Sequence, residues 1–331
     1  MTAVPGRIDI HHHALSAGLI ELMAELGLPT PAGQWRLSET LDLMDANNIE
    51  ASVISNVIPC DVLGDQVVAA RLARRANDEA AEAVRARPAR FGFFAILPLP
   101  DVDLALEEAA RALDELGADG VALLPHGGNR YLGAPVFDPL FAELDRRRTA
   151  VLVHPASLPH GGTPDVPPVI ADFLLDTTRA AINLITSGTL ARYPQVPVIL
   201  SHAGGFLPYA ATRTEVAASL LGMAGHDEVR GGIRRFYYDL ALSVPSAMPT
   251  LLAAADPGRI LFGTDWSGVP AAVVSQATRD LDEFPALGDS ALGDGALGGG
   301  IRQAINRDNA LKLLPGLARR LRAAQTPAPV R

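Results

Sequence analysis

The sequence predicts an α/β protein of the (β/α)8 or TIM-barrel type, a single domain with loop insertions at its C-terminal mouth. Three observations lead there. Short apolar stretches alternate with helix-forming stretches eight times along 331 residues, the pattern of a parallel sheet. The length is ordinary for a barrel with insertions. Polar residues also stand at the C-terminal ends of strands far apart in sequence. An open, doubly wound sheet is the alternative, but only closure brings the ends of strands one, five, six and eight to one mouth.

Taken in order, Ile8–His11 is the first strand, ending in the run Asp9-Ile10-His11-His12-His13. Ser38 can N-cap a helix with apolar residues Leu41, Leu43 and Met44, and Ala51–Val57 is the second strand. An Ala- and Arg-rich helix fills Asp65 to Arg87. Phe91–Leu97 is the third strand, closed by Pro98-Leu99-Pro100. Asp101 or Asp103 caps the next helix, which ends near Gly117, where a C-terminal glycine is expected. Gly120–Leu124 is strand four, Pro135–Arg148 a helix and Ala150–His154 strand five. After a long loop over Pro155–Pro168 come a helix (Phe173–Tyr193), strand six (Val196–His202), a helix (Leu207–Leu221), strand seven (Phe236–Leu242), a helix (Ser246–Ala255) and strand eight (Ile260–Asp265). Residues 285–300, which include the Gly/Ala-rich stretch Gly288–Gly300, are expected to be a flexible loop, Arg302–Leu314 a last helix and residues 325–331 a frayed tail.

Composition narrows the class. With 48% hydrophobic residues the chain can bury a sizeable core. The net charge of -9 argues against a nucleic-acid partner. The lone cysteine, Cys60, excludes an internal disulfide framework and a thiolate zinc cluster, and fits a reducing, cytoplasmic setting. No basic region followed by an apolar run and a cleavage site opens the chain, and no apolar run is long enough to span a membrane.

The chemistry is expected at the strand ends. His11 and His13 share one face of their strand because side chains alternate with a period of two, and His12 points the other way. His154 closes Val151-Leu152-Val153, His202 closes Val198-Ile199-Leu200-Ser201, and Asp265 closes Ile260-Leu261-Phe262-Gly263-Thr264. Polar residues at such positions read as catalytic in a barrel. Imidazoles and a carboxylate brought together there suit zinc or a similar divalent ion, with a position left for water or substrate. The only lysine, Lys312, lies in the final helix, which excludes a two-metal site bridged by a carbamylated lysine on a middle strand. Trp35 and Arg36, in the loop after strand one, are candidates to stack on a substrate and pair with its carboxylate. Asn56, His126, His160 and Trp266 also fall near strand ends or mouth loops.

The motifs Asp9-Ile10-His11-His12-His13, Leu152-Val153-His154-Pro155, Ser201-His202-Ala203-Gly204-Gly205 and Gly263-Thr264-Asp265-Trp266, with the late Asn309-Ala310 pair, resemble the amidohydrolase superfamily. The likeness is to the branch holding aminocarboxymuconate-semialdehyde decarboxylase and aromatic-acid decarboxylases. Arg90-Phe91-Gly92-Phe93-Phe94-Ala95, Leu97-Pro98-Leu99-Pro100-Asp101 and Asp176-Thr177-Thr178-Arg179 look most like 6-methylsalicylate decarboxylase-like members. The resemblance implies metal ligands His11, His13, His154 and Asp265, with His202 handling metal-bound water or substrate and Asp265 sharing the proton chemistry. Some related decarboxylases have glutamate at the first histidine. Histidine here is closer to the zinc type, with manganese the other candidate. The branch also implies a homodimer, in which an arginine eleven positions after the catalytic histidine, here Arg213, reaches into the neighbouring site to hold a carboxylate.

The leading expectation is therefore a one-metal, non-oxidative decarboxylase of a small aromatic (salicylate-type) or conjugated carboxylic acid. A metal-dependent hydrolase or hydratase acting on a lactone or similar carbonyl compound is the alternative, with Asp265 shuttling a proton to the leaving group. A metal-free member that only binds a small molecule is disfavoured by the intact ligand set.

Overall fold

The computed structural model describes residues 6–28, 30, 35–159, 165–285 and 298–325. Eight parallel strands form one sheet in sequence order: β1 (Arg7–His12), β2 (Ile49–Ile54), β3 (Phe91–Ile96), β4 (Gly120–Leu123), β5 (Ala150–Val153), β6 (Val198–Leu200), β7 (Tyr237–Asp239) and β8 (Ile260–Leu261). Backbone hydrogen bonds close it. Ile10 N–H donates to Phe262 O at 3.1 Å and Asp265 N–H to His11 O at 2.9 Å. The chain is a (β/α)8 barrel.

Strand alternation sorts the core into two layers. Ile8, Ile10, Val53, Phe94, Leu152, Ile199 and Leu261 form one cluster inside the barrel, floored by Leu314, Leu317 and Leu321 near the C-terminus. Their neighbours Phe93, Val121, Val151, Val153 and Leu200 belong to a second cluster that packs against the helices. On β1 the phase changes. The register with β2 slips between Asp9 and His12, as at a β-bulge, a device that re-aims side chains next to active sites. Beyond the slip, His11 and His13 converge on Asp265, while His12 bonds Asp9 at 3.2 Å and faces the Phe91 ring.

Most helices fall where the sequence places them. Asp65 and Asp101 accept hydrogen bonds from first-turn amides, and Gly117 adopts the left-handed conformation at a helix end. Several details differ. The helix assigned to Ser38 starts at Leu37, so Ser38 lies inside its first turn and makes no cap. The segment 173–193 is two helices, Asp172–Thr186 and Thr189–Arg192, divided at Gly188 with φ of 75°. Helices Ala17–Glu25, His226–Arg235 and Ala271–Glu283 are additions. Of the expected flexible loop over 285–300, Gly298–Gly300 instead begin a helix, and 286–297 lie outside the described residues. In the expected tail, Gln325 ends a helix that starts at Pro315, and 326–331 lie outside the described residues. No described helix is long and apolar enough to cross a membrane.

Candidate metal centre

The barrel mouth gathers His11 and His13 from the end of β1, His154 after β5 and Asp265 after β8. One ligand atom from each of the four lies within 4.8 Å of the others. The rings crowd closely: His11 and His154 centroids are 4.7 Å apart, His13 and His154 5.1 Å. Asp265 Oδ1 sits 3.0 Å from His13 Nε2 and 3.3 Å from His11 Nε2, and its Oδ2 lies 3.5 Å from His202 Nε2. His202 and Asp265 are both held at positive φ, 52° and 62°, a conformation that non-glycine residues keep only where the surroundings enforce it.

A second layer holds the first in place. His11 Nδ1 lies 2.9 Å from Asp239 Oδ2 at the end of β7, with both side chains fully buried. Asp239 Oδ1 accepts the His202 and Ala241 amides at 3.1 and 3.0 Å, so one carboxylate orients two site histidines. Gly263 makes room for this pair, since a Cβ there would lie 2.9 Å from His11 Cβ and 3.3 Å from Asp239 Cβ. Asp9 is the other hub. Its Oδ1 accepts the amides of His11 and Thr264, and its Oδ2 the Thr264 hydroxyl at 2.7 Å. It thereby joins the strand bearing His11 to the segment bearing Asp265.

The electrostatics suit a cation. Burial holds the His13 imidazole below its ordinary pKa despite Asp265, and burial with the neighbouring imidazoles holds His154 well below. Both rings are therefore neutral near pH 7, with lone pairs free to donate. Burial opposes ionisation of Asp265, but His11, His13 and His202 override it and hold the carboxyl well below the usual range. On His11 burial works downward, and Asp239 and Asp265 outweigh it, raising the ring to about 10. Both nitrogens of buried His154 lack a hydrogen-bond partner. Orphaned buried nitrogens beside an anionic carboxylate are what a metal site requires when stripped of its ion. The donor set of three nitrogens and one oxygen fits the group.

Residues 8–316 match the family model described as amidohydrolase. The chain belongs to the amidohydrolase family. The 6-methylsalicylic acid decarboxylase acuB of Aspergillus aculeatus is 36% identical over 334 residues, covering 95% of this chain and 97% of the relative. Decarboxylase yanB of Aspergillus niger is 36% identical over 337 residues, covering 93% of this chain and 87% of the relative. Among solved structures, amidohydrolase II superposes with a TM-score of 0.83 at 29% identity, covering 94% of this chain and all of that one.

This amidohydrolase places its remaining sequence candidates less centrally. Trp35 packs edge-on against Phe91, with ring centroids 6.5 Å apart. Arg36 is exposed and paired with Glu39 at 2.9 Å. Trp266 gives its indole N–H to Thr40 Oγ1 at 3.1 Å, on the helix Leu37–Ala46 that precedes β2. Arg213 is exposed on the helix Ala211–Leu220. Asn56 clamps Ala14, accepting its amide at 2.6 Å and donating to its carbonyl at 3.2 Å, one residue past His13. His160 lies outside the described residues. Sequence reasoning missed Asp239, although it too is a carboxylate closing an apolar strand.

Proposed function

We propose that this amidohydrolase is a metal-dependent, non-oxidative decarboxylase of small 2-hydroxybenzoate-type acids. The observation that carries the reading is the convergence of His11, His13, His154 and Asp265 at one barrel mouth, in a chain aligned almost end to end with a 6-methylsalicylic acid decarboxylase and with a further decarboxylase. Those four residues would hold one divalent ion per chain. A three-nitrogen, one-oxygen set favours zinc, with manganese the second candidate. When bound, the ion supplies Lewis acidity toward the substrate's carboxylate and phenol oxygens.

The protein's own part is orientation and proton transfer. His202 Nε2 lies 3.5 Å from Asp265 Oδ2, and His202 would deliver the proton that the ring carbon bearing the carboxylate must receive, with the ionised Asp265 beside it to relay that proton. That proton forms the new C–H bond, the bond to the carboxylate breaks, and its electron pair restores the aromatic ring as carbon dioxide leaves. As the residues that would hold the ion, His11, His13 and His154 give it lone pairs and so carry no proton that competes with the one on His202. Trp35, Arg36 and Trp266 are assigned to the substrate side of the mouth.

The working unit in this reading is a cytoplasmic homodimer. Tyr209, Leu220 and Leu221 expose 81%, 83% and 73% of their surface, an exposed apolar set of the sort that subunit contacts cover. It borders the helix that carries Arg213, the residue assigned to reach the partner's substrate carboxylate. The test is a product assay of metal-loaded protein on 2-hydroxybenzoic acids and on lactones. Phenols with carbon dioxide are expected; ring-opened acids from the lactones, with no carbon dioxide, would overturn the assignment.

A further inference from the structure

Away from the metal centre, His126 is fully buried in the short ribbon that follows β4 over the barrel mouth. Its Nδ1 lies 3.1 Å from the Gly128 carbonyl and 3.3 Å from Asp61 Oδ2. Its Nε2 lies 3.3 Å from the Ser157 carbonyl and 3.5 Å from Asp176 Oδ2. All four neighbours are acceptors. A neutral imidazole carries one N–H, and its other nitrogen would turn a lone pair toward a carbonyl and a carboxylate. With both carboxyl groups ionised, only a ring protonated on both nitrogens satisfies both sides.

The partners come from separate mouth segments. Asp61 lies in the turn after β2, Asp176 on the helix Asp172–Thr186, and Ser157 only three residues past His154. Ser157 also donates its hydroxyl to Asp61 at 3.1 Å. Tyr131 stands edge-on to the His126 ring and donates to Asp176 Oδ1 at 2.8 Å, and the Arg179 charge acts on both Tyr131 and Asp176. We infer that His126 is a buried imidazolium that ties the loops after β2, β4 and β5 together, and so acts as a positioning residue for His154.

Burial opposes that charge, but Asp61 and Asp176 raise the ring above its ordinary value. A raised folded pKa means the tie is complete below the ordinary histidine range and is lost as pH rises through the folded value. The loop bearing His154 then loosens on the alkaline side. The inference rests on the proposed metal site, not on the identity of the substrate.

The experiment is ¹⁵N NMR of histidine-labelled, metal-loaded protein, with the ring assigned by difference against His126→Gln. Near pH 7 both His126 nitrogens are expected to be protonated, and a single neutral tautomer would overturn the inference. Asp61→Asn keeps the ring and removes one carboxylate, which guards against a His126 variant that does not fold. It is expected to lower the His126 titration midpoint by about one unit and to speed metal release by about tenfold. An unchanged midpoint and release rate would overturn the positioning role. Both readouts are independent of turnover, so a metal-loaded protein that decarboxylates no acid, yet shows them, would leave this inference standing and sink the functional reading.

Discussion

His11 Nδ1 and Asp239 Oδ2 meet at 2.9 Å with neither side chain exposed. The contact fixes which nitrogen of His11 faces the mouth, because the bond to Asp239 leaves Nε2 pointing at Asp265. Partners of this kind typically contribute 10–100-fold to metal affinity. Asp239→Asn, which keeps the shape and removes the charge, is expected to weaken metal binding by about that factor with the fold retained. Metal titration followed by elemental analysis checks it.

The same pair predicts a proton count. In the metal-free chain His11 is raised to about 10, so it is protonated at pH 8, whereas a ligand must be neutral. Metal uptake at pH 8 is therefore expected to release about one proton per ion. Calorimetry in two buffers of different ionisation enthalpy reads that number, and a value near zero contradicts it. The sign for stability follows. The charged His11 contribution is complete below the ordinary histidine range and fades as pH rises toward about 10, so the metal-free melting temperature falls across that window.

Gly263 should not tolerate a methyl group. Its added Cβ would press on the Cβ atoms of both His11 and Asp239. Gly263→Ala is expected to cost about 1–3 kcal/mol of stability, the usual range for overpacking, and to weaken metal binding through displaced His11. Chemical denaturation and metal titration of one preparation separate the two effects.

The exposed apolar set predicts the assembly. Leu220→Glu with Leu221→Glu should convert a dimer to a monomer in analytical ultracentrifugation. If Arg213 serves the neighbouring site, the monomer and Arg213→Ala should share a raised KM. A wild-type chain that sediments as a monomer removes that role.

The sequence exposed the four converging residues because each stands directly after an apolar strand, a pattern that needs no knowledge of packing. Asp239 fits the same pattern but was hidden, because apolar residues continue through Leu242 and made strand seven look longer than the observed Tyr237–Asp239. Asp9 was read only as part of the histidine run. Its role depends on Thr264, 255 residues away, and only barrel closure brings them together. That His11 and His13 share one face followed from simple alternation, but their inward aim, out of phase with Ile8 and Ile10, comes with a register slip that a period of two does not contain. The surroundings of His126 were illegible for the same reason as those of Asp9: its partners come from three distant segments.

The most direct test of metal-dependent decarboxylation is carbon dioxide release from 6-methyl-2-hydroxybenzoate by chelator-stripped protein, before and after one equivalent of zinc or manganese, beside His154→Ala. The account predicts no release from stripped protein, one carbon dioxide per phenol formed on reloading, and no recovery in the variant. Equal release with and without metal, or full activity in His154→Ala, would contradict it.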